Sequence, residues 1–473
     1  MDNPHAGPAP LAITPHNPHH AALAIAPGSM MPPRMTMAPN GRRRNQAPWM
    51  VTPTPPLSPI IAAEDLTAAG DNKLLIAALA MTFACAISLP FFVFGPFVFY
   101  IVVIGLVIWY LPITVPMIML VKLAWYFVLL FVHVQNTPTL LNIASLIVAD
   151  LYSLALATIF MSNGIDKSIK YLSYTCGAII FAGFLIGLTI GSSFEIADPI
   201  ETFSYGRMLI LTKPYEGHSM LIETSTIILA ASLAGFIGKR LLFITIPVAS
   251  AGLLAANNAT SIGIFGIIWG ISTFERLLFY RLTTLAHVIL IGICIYIIFD
   301  PDLLYDTLYF IRFDVLGQDI TMYRGDFTSG RAQLTALLID LANDEPIFGV
   351  GHEHNILEYG IRTITGAATG ATSESPLRLA AKYGWPTFGF MIVLVSMPLF
   401  VGLTQKSGKV RNFFVSIGYA IILASSTNSG FSTGQSATYF LFGPIIWLAI
   451  LWRIRSNGEG WKDLGTRSAT SGW

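Results

Sequence analysis

Long apolar stretches separated by short polar ones dominate the chain from residue 74 onward. Each stretch runs for roughly 18 to 24 residues, long enough to cross a hydrocarbon core of about 30 Å as an α-helix. Backbone groups in lipid must bond within the protein, so helices are the expected elements. The pattern predicts about twelve membrane spans, at residues 74–94, 97–113, 115–134, 139–161, 171–193, 220–238, 241–257, 259–275, 282–299, 384–403, 413–431 and 435–452.

One polar interruption is much longer than the others and divides the predicted spans into two groups. It extends from Asp300 to Tyr383. The segment before the first span is rich in Pro, Ala, Met, His and Asn without apolar periodicity, and such a composition predicts disorder. The predicted organisation is a disordered tail at 1–72, nine membrane helices at 73–299, a large loop with the candidate site at 300–383, three membrane helices at 384–452, and a tail at 453–473.

Composition and charge narrow the class of protein. With 54% hydrophobic and 11% charged residues, the chain has more apolar surface than a soluble core buries, which indicates an integral membrane protein in a lipid bilayer. The net charge of +1 comes with dispersed basic residues, so no nucleic-acid partner is expected. The cysteines Cys85, Cys176 and Cys294 all lie in apolar runs, and neither a disulfide framework nor a zinc site is expected.

Basic residues alternate along the predicted loops, and cytoplasmic loops carry the excess of Lys and Arg. The alternation predicts that both termini are cytoplasmic. Two outer segments break this rule and therefore attract attention. One, at about 194–219, contains Arg207 and Lys213; the other is the large loop, with Arg312, Arg324, Arg331, Arg362, Arg378 and Lys382.

Lys122 is a charge inside the third predicted span. A charge at that depth is costly and usually faces a partner or a cavity. Snorkelling to the membrane surface, a structural ion pair and a functional role all remain open.

The large loop contains the strongest local pattern in the sequence. After Gly330 and Arg331, apolar residues recur at helical spacing, which predicts an amphipathic helix at the outer membrane face. Pro346 ends this helix, and Gly349 and Gly351 allow backbone geometry that other residues avoid. The sequence thus predicts a tight turn from Pro346 to Gly351, although turns of this composition also occur in loops without function.

These residues resemble the O-antigen ligase and polysaccharide polymerase superfamily of bacterial membrane enzymes. Members typically have an arginine after a small residue, a helix, and a turn like Pro346–Gly351. Farther on they have a His-Asn pair, then Leu, then Gly at the next span. Leu377 and Gly384 fit, whereas Ser373 and Glu374 stand where the His-Asn pair is expected.

The resemblance implies a fold and an activity. The implied fold is all-α, a polytopic, GT-C-like protein with about twelve transmembrane helices and one large periplasmic loop. The implied enzyme is a metal-independent glycosyltransferase of the bacterial inner membrane, with no cofactor. It moves a glycan from an undecaprenyl diphosphate carrier to an acceptor sugar. The implied partners are the lipid-linked donor and acceptor, the bilayer, and other membrane proteins of polysaccharide assembly.

The chemistry assigns expected roles to residues. The leaving lipid diphosphate needs charge stabilisation, which arginine supplies through paired hydrogen bonds to phosphate oxygens. Arg331 is the first candidate and Arg207 the second. Lys213, Arg378, His354, Gly349 and Gly351 are the remaining expected substrate-binding residues.

The acceptor hydroxyl must lose a proton, so a group of suitable pKa should lie within hydrogen-bond reach. Glu374, His352, Glu353 and His354 compete for this role, and Glu374 and His352 are the expected catalytic residues beside Arg331. Glu374 has a second interpretation, a helix cap or an ion pair with Arg378.

Several alternatives stay open. Polymerisation of repeat units is the leading activity, and an O-antigen ligase or protein O-oligosaccharyltransferase is the nearest rival. A transporter or flippase for the same lipid-linked sugars would need polar groups near the midplane, for which Lys122, Asp150 and Glu223 are the candidates. The Asp300-Pro301-Asp302 motif resembles a divalent cation site, but a membrane exit is its favoured interpretation.

Overall fold

In the computed structural model of the chain, the secondary-structure elements of the described residues are helices, with no strand among them. This confirms the predicted all-α class. The structure describes residues 72–88, 95–111, 113–190, 214–255, 259–277, 280–299, 309–310, 331–351, 377–405, 408–427 and 440–456.

Thirteen helices occur in these residues, and twelve of them each overlap one predicted span. The exception, α10, lies in the predicted large loop where the amphipathic helix was expected. The helices are α1 (Asn72–Ser88), α2 (Gly95–Tyr110), α3 (Met117–Val132), α4 (Thr137–Asn163), α5 (Ile165–Ile190), α6 (Pro214–Ala234), α7 (Lys239–Ala255), α8 (Ala259–Leu277), α9 (Tyr280–Phe299), α10 (Arg331–Asp344), α11 (Leu377–Thr404), α12 (Lys409–Thr427) and α13 (Phe442–Ser456).

Three of the described helices are long and apolar enough to cross a membrane: α4, α5 and α11. Other apolar helices are shorter, α3 among them. Large apolar side chains are exposed on several helices, including Trp109, Phe131 and Phe243. Water would not stabilise such surfaces, whereas lipid would cover them. The chain is therefore a membrane-associated protein.

The centre of the bundle contains α4, α6 and α13. α13 packs against α4 and α11, whereas α6 packs against α5, α7, α8 and α12. From Met220 to Ala234, α6 is buried on all sides, and so is α13 from Phe442 to Leu451. Both helices are apolar around most of their circumference, and this pattern is typical of a helix at the centre of a bundle.

The start of α12, the start of α5 and the connection between α6 and α7 lie at one end of the bundle, where Lys409 contacts the other two. Lys409 at the start of α12 pairs with Asp166 at the start of α5, and its Nζ lies 5.2 Å from the ring centroid of Phe236 between α6 and α7. Several basic residues share this end, which we call the basic end: Lys167, Lys170, Lys239, Arg240 and Lys409. The charge alternation predicted that these residues lie on one side of the membrane, and their common end agrees with it.

The first part of α11 extends into the segment predicted to be loop. The helix begins at Leu377, whereas the predicted span begins at residue 384. The predicted boundary at residue 384 followed from hydropathy. Gly384 does mark a break, but it lies inside the helix.

Candidate functional site

The candidate site is built around a break in α11. Gly384 has a φ of 83° and a ψ of 165°, which is not helical, and it divides the helix into two segments. A break frees backbone carbonyls before it and N–H groups after it. Unbonded groups of this kind are costly inside a membrane protein.

The turn from Pro346 to Gly351 satisfies these freed groups. Three backbone hydrogen bonds connect the turn to the break, and they run in both directions. They are Val350 N–H to the Ala381 carbonyl at 2.8 Å, Gly351 N–H to the Lys382 carbonyl at 3.0 Å, and Trp385 N–H to the Pro346 carbonyl at 2.9 Å. We call this unit, residues 346–351 with 381–385, the clasp.

Glycines allow the two halves of the clasp to approach. Gly349 and Gly384 have positive φ values of 70° and 83°, where side chains are strained. A Cβ on Gly349 would overlap the backbone of Lys382 and Tyr383, and a Cβ on Gly384 would overlap that of Ile347. Neither position can therefore accept a side chain without moving the backbone.

Gly351 fits the clasp against the connection between α3 and α4. Its φ is 90°, and a Cβ there would lie 3.2 Å from Thr139 Oγ1 and 3.4 Å from Asn136 Nδ2. The N–H groups of Gly349 and Gly351 are bonded to the carbonyls of Glu345 and Lys382. The two glycines thus position the turn, and their N–H groups are already used within the protein.

Residues of α3 and of its C-terminal end contact the clasp. His133 Nε2 donates to the Phe348 carbonyl at 3.1 Å. The indole of Trp125 stacks on the Phe348 ring, with centroids 5.9 Å apart and planes at 10°, and its Nε1 donates to Thr387 Oγ1 at 2.8 Å. The turn is therefore held by aromatic stacking as well as by hydrogen bonds.

α10 packs against the first segment of α11. Leu338 and Leu341 of α10 form a small apolar cluster with Ala381, and Trp385 Nε1 donates to Asn343 Oδ1 at 3.3 Å. Arg331 is the first residue of this helix. At 1.5 Å per residue, it lies about 20 Å from the other end of α10, where the turn begins. Arg331 is at the N-terminus of the helix, and the positive end of the helix dipole there favours anions.

Lys122 forms a buried ion pair with Asp150. Its Nζ is 2.7 Å from Asp150 Oδ2, and the two side chains are 6% and 2% exposed. The ammonium also lies 5.4 Å from the centroid of the Tyr126 ring, and the Tyr126 hydroxyl is hydrogen-bonded to Asp150. Of the interpretations left open by the sequence, the ion pair is therefore confirmed.

Glu223 lies in the centre of the bundle, at the N-terminus of α13. The residue is completely buried, and its Oε2 accepts a hydrogen bond of 2.9 Å from Leu441 N–H. A carboxylate at a helix N-terminus is favoured by the dipole and bonds an otherwise unpaired N–H. Glu223 therefore has a clear structural role as a cap.

A second buried network, centred on Arg411, was not foreseen. The Arg411 Nε and an Nη donate to the two carboxylate oxygens of Glu275 at 2.7 and 2.9 Å. His287 Nε2 donates to the same carboxylate at 3.0 Å, and the Tyr419 hydroxyl lies 3.3 Å from His287 Nδ1.

Arg411 lies just before the predicted span 413–431, and its side chain is 1% exposed. Counting basic residues along the predicted loops could not reveal this pairing, because the count ignores acids on other helices. Glu275 and His287, which lie in or at the end of apolar runs, were the available signal.

The structure brings some predicted site residues together. Gly349 and Gly351 lie in the clasp, and Arg378 lies in the first turn of α11, one helical turn before Lys382. Arg331 begins the helix that packs on this segment. The other candidates lie outside the described residues: Arg207, Lys213, Asp300, Asp302, His352, Glu353, His354 and Glu374.

No cluster of three or more His, Cys, Asp or Glu side chains that could hold a metal occurs among the described residues. No protein-family profile matches the chain, and the search of curated proteins found no match to it.

Proposed function

We propose that the chain is a glycosyltransferase that polymerises undecaprenyl-diphosphate-linked oligosaccharide repeat units into exopolysaccharide or O-antigen. The clasp is the observation that carries this proposal. It joins the Pro346–Gly351 turn to the segment that begins at Leu377 and reaches Gly384. Two of the motif elements that resemble the polymerase and ligase superfamily, the Pro346–Gly351 turn and Gly384, are thus parts of one unit.

The proposed arrangement is a multi-pass protein of the bacterial inner membrane, with about twelve spans and both termini in the cytoplasm. The basic end supports this orientation, because cytoplasmic ends of spans carry the excess of Lys and Arg. Thr404, the last residue of α11, is close in sequence to Lys409 of the basic end. The clasp, near the start of α11, then faces the periplasm.

In the proposed reaction, an acceptor sugar hydroxyl attacks the anomeric carbon of the donor glycan. A glycosidic C–O bond forms, the bond from the anomeric carbon to the diphosphate oxygen breaks, and undecaprenyl diphosphate leaves with the electron pair. Arg331 stabilises the charge that develops on this leaving group, with Arg207 and Lys213 as further binding residues. Removing one preorganised donor of this kind costs about 3 kcal/mol of barrier.

The hydroxyl proton passes to a base in the segment 352–376, with Glu374 and His352 as the candidates. The clasp supports this choice through the ends of the segment. Gly351 is bonded to the Lys382 carbonyl, and Leu377 packs beside Leu338 and Leu341 of α10. The segment that carries both candidate bases therefore begins directly after the clasp and ends at the start of α11, next to Arg378.

A deletion strain tests the activity through its lipid-linked glycans and its secreted polymer. Single repeat units accumulating on the outer leaflet are the expected result. Long chains that remain unattached to their final acceptor would instead identify the ligase or protein O-oligosaccharyltransferase, which shares the donor and the arginines. Either accumulation on the inner leaflet or an unchanged polymer would contradict the proposal.

A transporter for lipid-linked sugars is the second candidate, favoured by the broken helix and the buried charges. Discontinuous helices in transporters present free backbone groups to a substrate. Here, the Ala381 and Lys382 carbonyls and the Trp385 N–H are bonded to the turn, and Lys122 is paired with Asp150. Because these groups are bonded within the protein, the broken helix has a structural role here and does not present free backbone groups to a substrate. This supports the enzyme over the transporter.

A further inference from the structure

A groove between α5 and α7 opens at the surface of the bundle, with α6 as its floor. Its volume is about 500 Å³, within the range of small-molecule binding sites. Tyr174 and Gly177 line it on α5, Ile244 and Val248 on α7, and Ile228 on α6. Apart from a few hydroxyl groups the walls are apolar, which suits a hydrocarbon chain.

Two exposed cations lie just beyond this groove, toward the basic end. The Lys170 Nζ lies 6.0 Å from the ring centroid of Tyr174, the residue one turn farther along α5 that lines the groove. Arg240 precedes Ile244 by one turn of α7, and residues four apart share a helix face. The groove thus combines an apolar body with a positively charged mouth.

We propose that this groove binds an anionic glycerophospholipid. The phosphate of the headgroup is held by Lys170 and Arg240, and one acyl chain lies in the groove along Gly177 and Val248. Anionic lipids are attracted to basic residues at helix ends, and basic pockets between membrane helices bind their headgroups. The proposal is independent of glycan transfer, because the groove contains none of the residues assigned to that reaction.

Gly177 offers a direct means of filling the groove. A Cβ at this position would meet no atom within 4 Å, and Gly177 lines the groove, so a leucine there would occupy groove volume. Gly105 on α2 has the same free space and does not line the groove. Gly177→Leu and Gly105→Leu are therefore a matched pair.

The test uses the purified full chain in detergent with phosphatidylglycerol or with phosphatidylcholine of the same acyl chains. Binding is measured by native mass spectrometry and by the shift of the thermal unfolding midpoint. We expect phosphatidylglycerol to bind to the wild type. Each cation contributes a factor of about tenfold or less to the affinity, so the double variant Lys170→Gln/Arg240→Gln should bind this lipid about 30-fold more weakly. Gly177→Leu abolishes binding. Gly105→Leu binds as the wild type does, and so does Arg453→Gln, which removes a charge in the last turn of α13, outside the groove.

Two results would overturn the proposal. Equal binding of the two lipids would show that the cations do not select the headgroup. Wild-type affinity in Gly177→Leu would show that the acyl chain does not occupy the groove. Neither lipid binding nor the unfolding midpoint depends on glycan transfer, so a negative result for the lipid site would not bear on the proposed glycosyltransferase activity.

Discussion

Gly384 lies so close to Ile347 that a Cβ atom on Gly384 would overlap the Ile347 carbonyl oxygen. The break in α11 and the turn after α10 are therefore fitted to each other at the level of the backbone. This contact explains why glycine stands at the break, where φ is positive and no side chain has room.

We predict that Gly384→Ala destabilises the protein by about 3 kcal/mol, because positive φ costs about 1–3 kcal/mol in a residue with a side chain and the overlap adds to it. The thermal unfolding midpoint in detergent measures the loss. Gly389→Ala is the matched control, since Gly389 lies in the same helix with nothing within 4 Å of an added Cβ. Equal midpoints for the two variants would contradict the fit.

The Lys122–Asp150 pair is predicted to be structural. Lys122→Met leaves a buried carboxylate without its cation, and such a loss costs about 3–5 kcal/mol. Lys122→Met/Asp150→Asn removes both charges and keeps an oxygen acceptor for the Tyr126 hydroxyl. We expect this double variant to recover most of the stability and to make wild-type amounts of polymer. A double variant no more stable than the single one would argue against the pair.

Arg411 is predicted to need its guanidinium and not only its charge. Its N–H groups reach both oxygens of Glu275 and the carbonyls of Leu403 and Gln405. Arg411→Lys keeps the charge but loses the planar fork, so we expect a loss of about 2 kcal/mol. The unfolding midpoint is compared with that of Arg453→Lys, in the last turn of α13, and matching midpoints would refute the prediction.

Topology is tested by reporter fusions at Ala342 and Gln405. The account places Ala342 of α10 outside the cytoplasm and Gln405, after α11, inside. Alkaline phosphatase should therefore be active only when fused at Ala342, and green fluorescent protein should fluoresce only at Gln405. The reverse pattern would invert the orientation and move the clasp to the cytoplasmic side.

The helical architecture could be predicted because span length and apolar composition are properties of single segments. The turn at Gly349 and Gly351 was likewise readable, since proline and glycine restrict the backbone locally. The break at Gly384 and its contact with Ile347 could not be predicted, because they depend on how two segments far apart in sequence pack together. Lys122 showed that it needed a partner, but hydropathy cannot say which helix supplies Asp150. The Arg411–Glu275 pair was missed for the same reason.

The central claim is that Arg331 serves glycan transfer. The most direct measurement is the amount of polymer made by the deletion strain when it carries Arg331→Ala, at a membrane protein level equal to that of the wild type. Arg324→Ala, which removes a cation of the same predicted loop outside the motif, is the matched control. The account predicts no polymer from Arg331→Ala and normal polymer from Arg324→Ala; normal polymer from Arg331→Ala would contradict it.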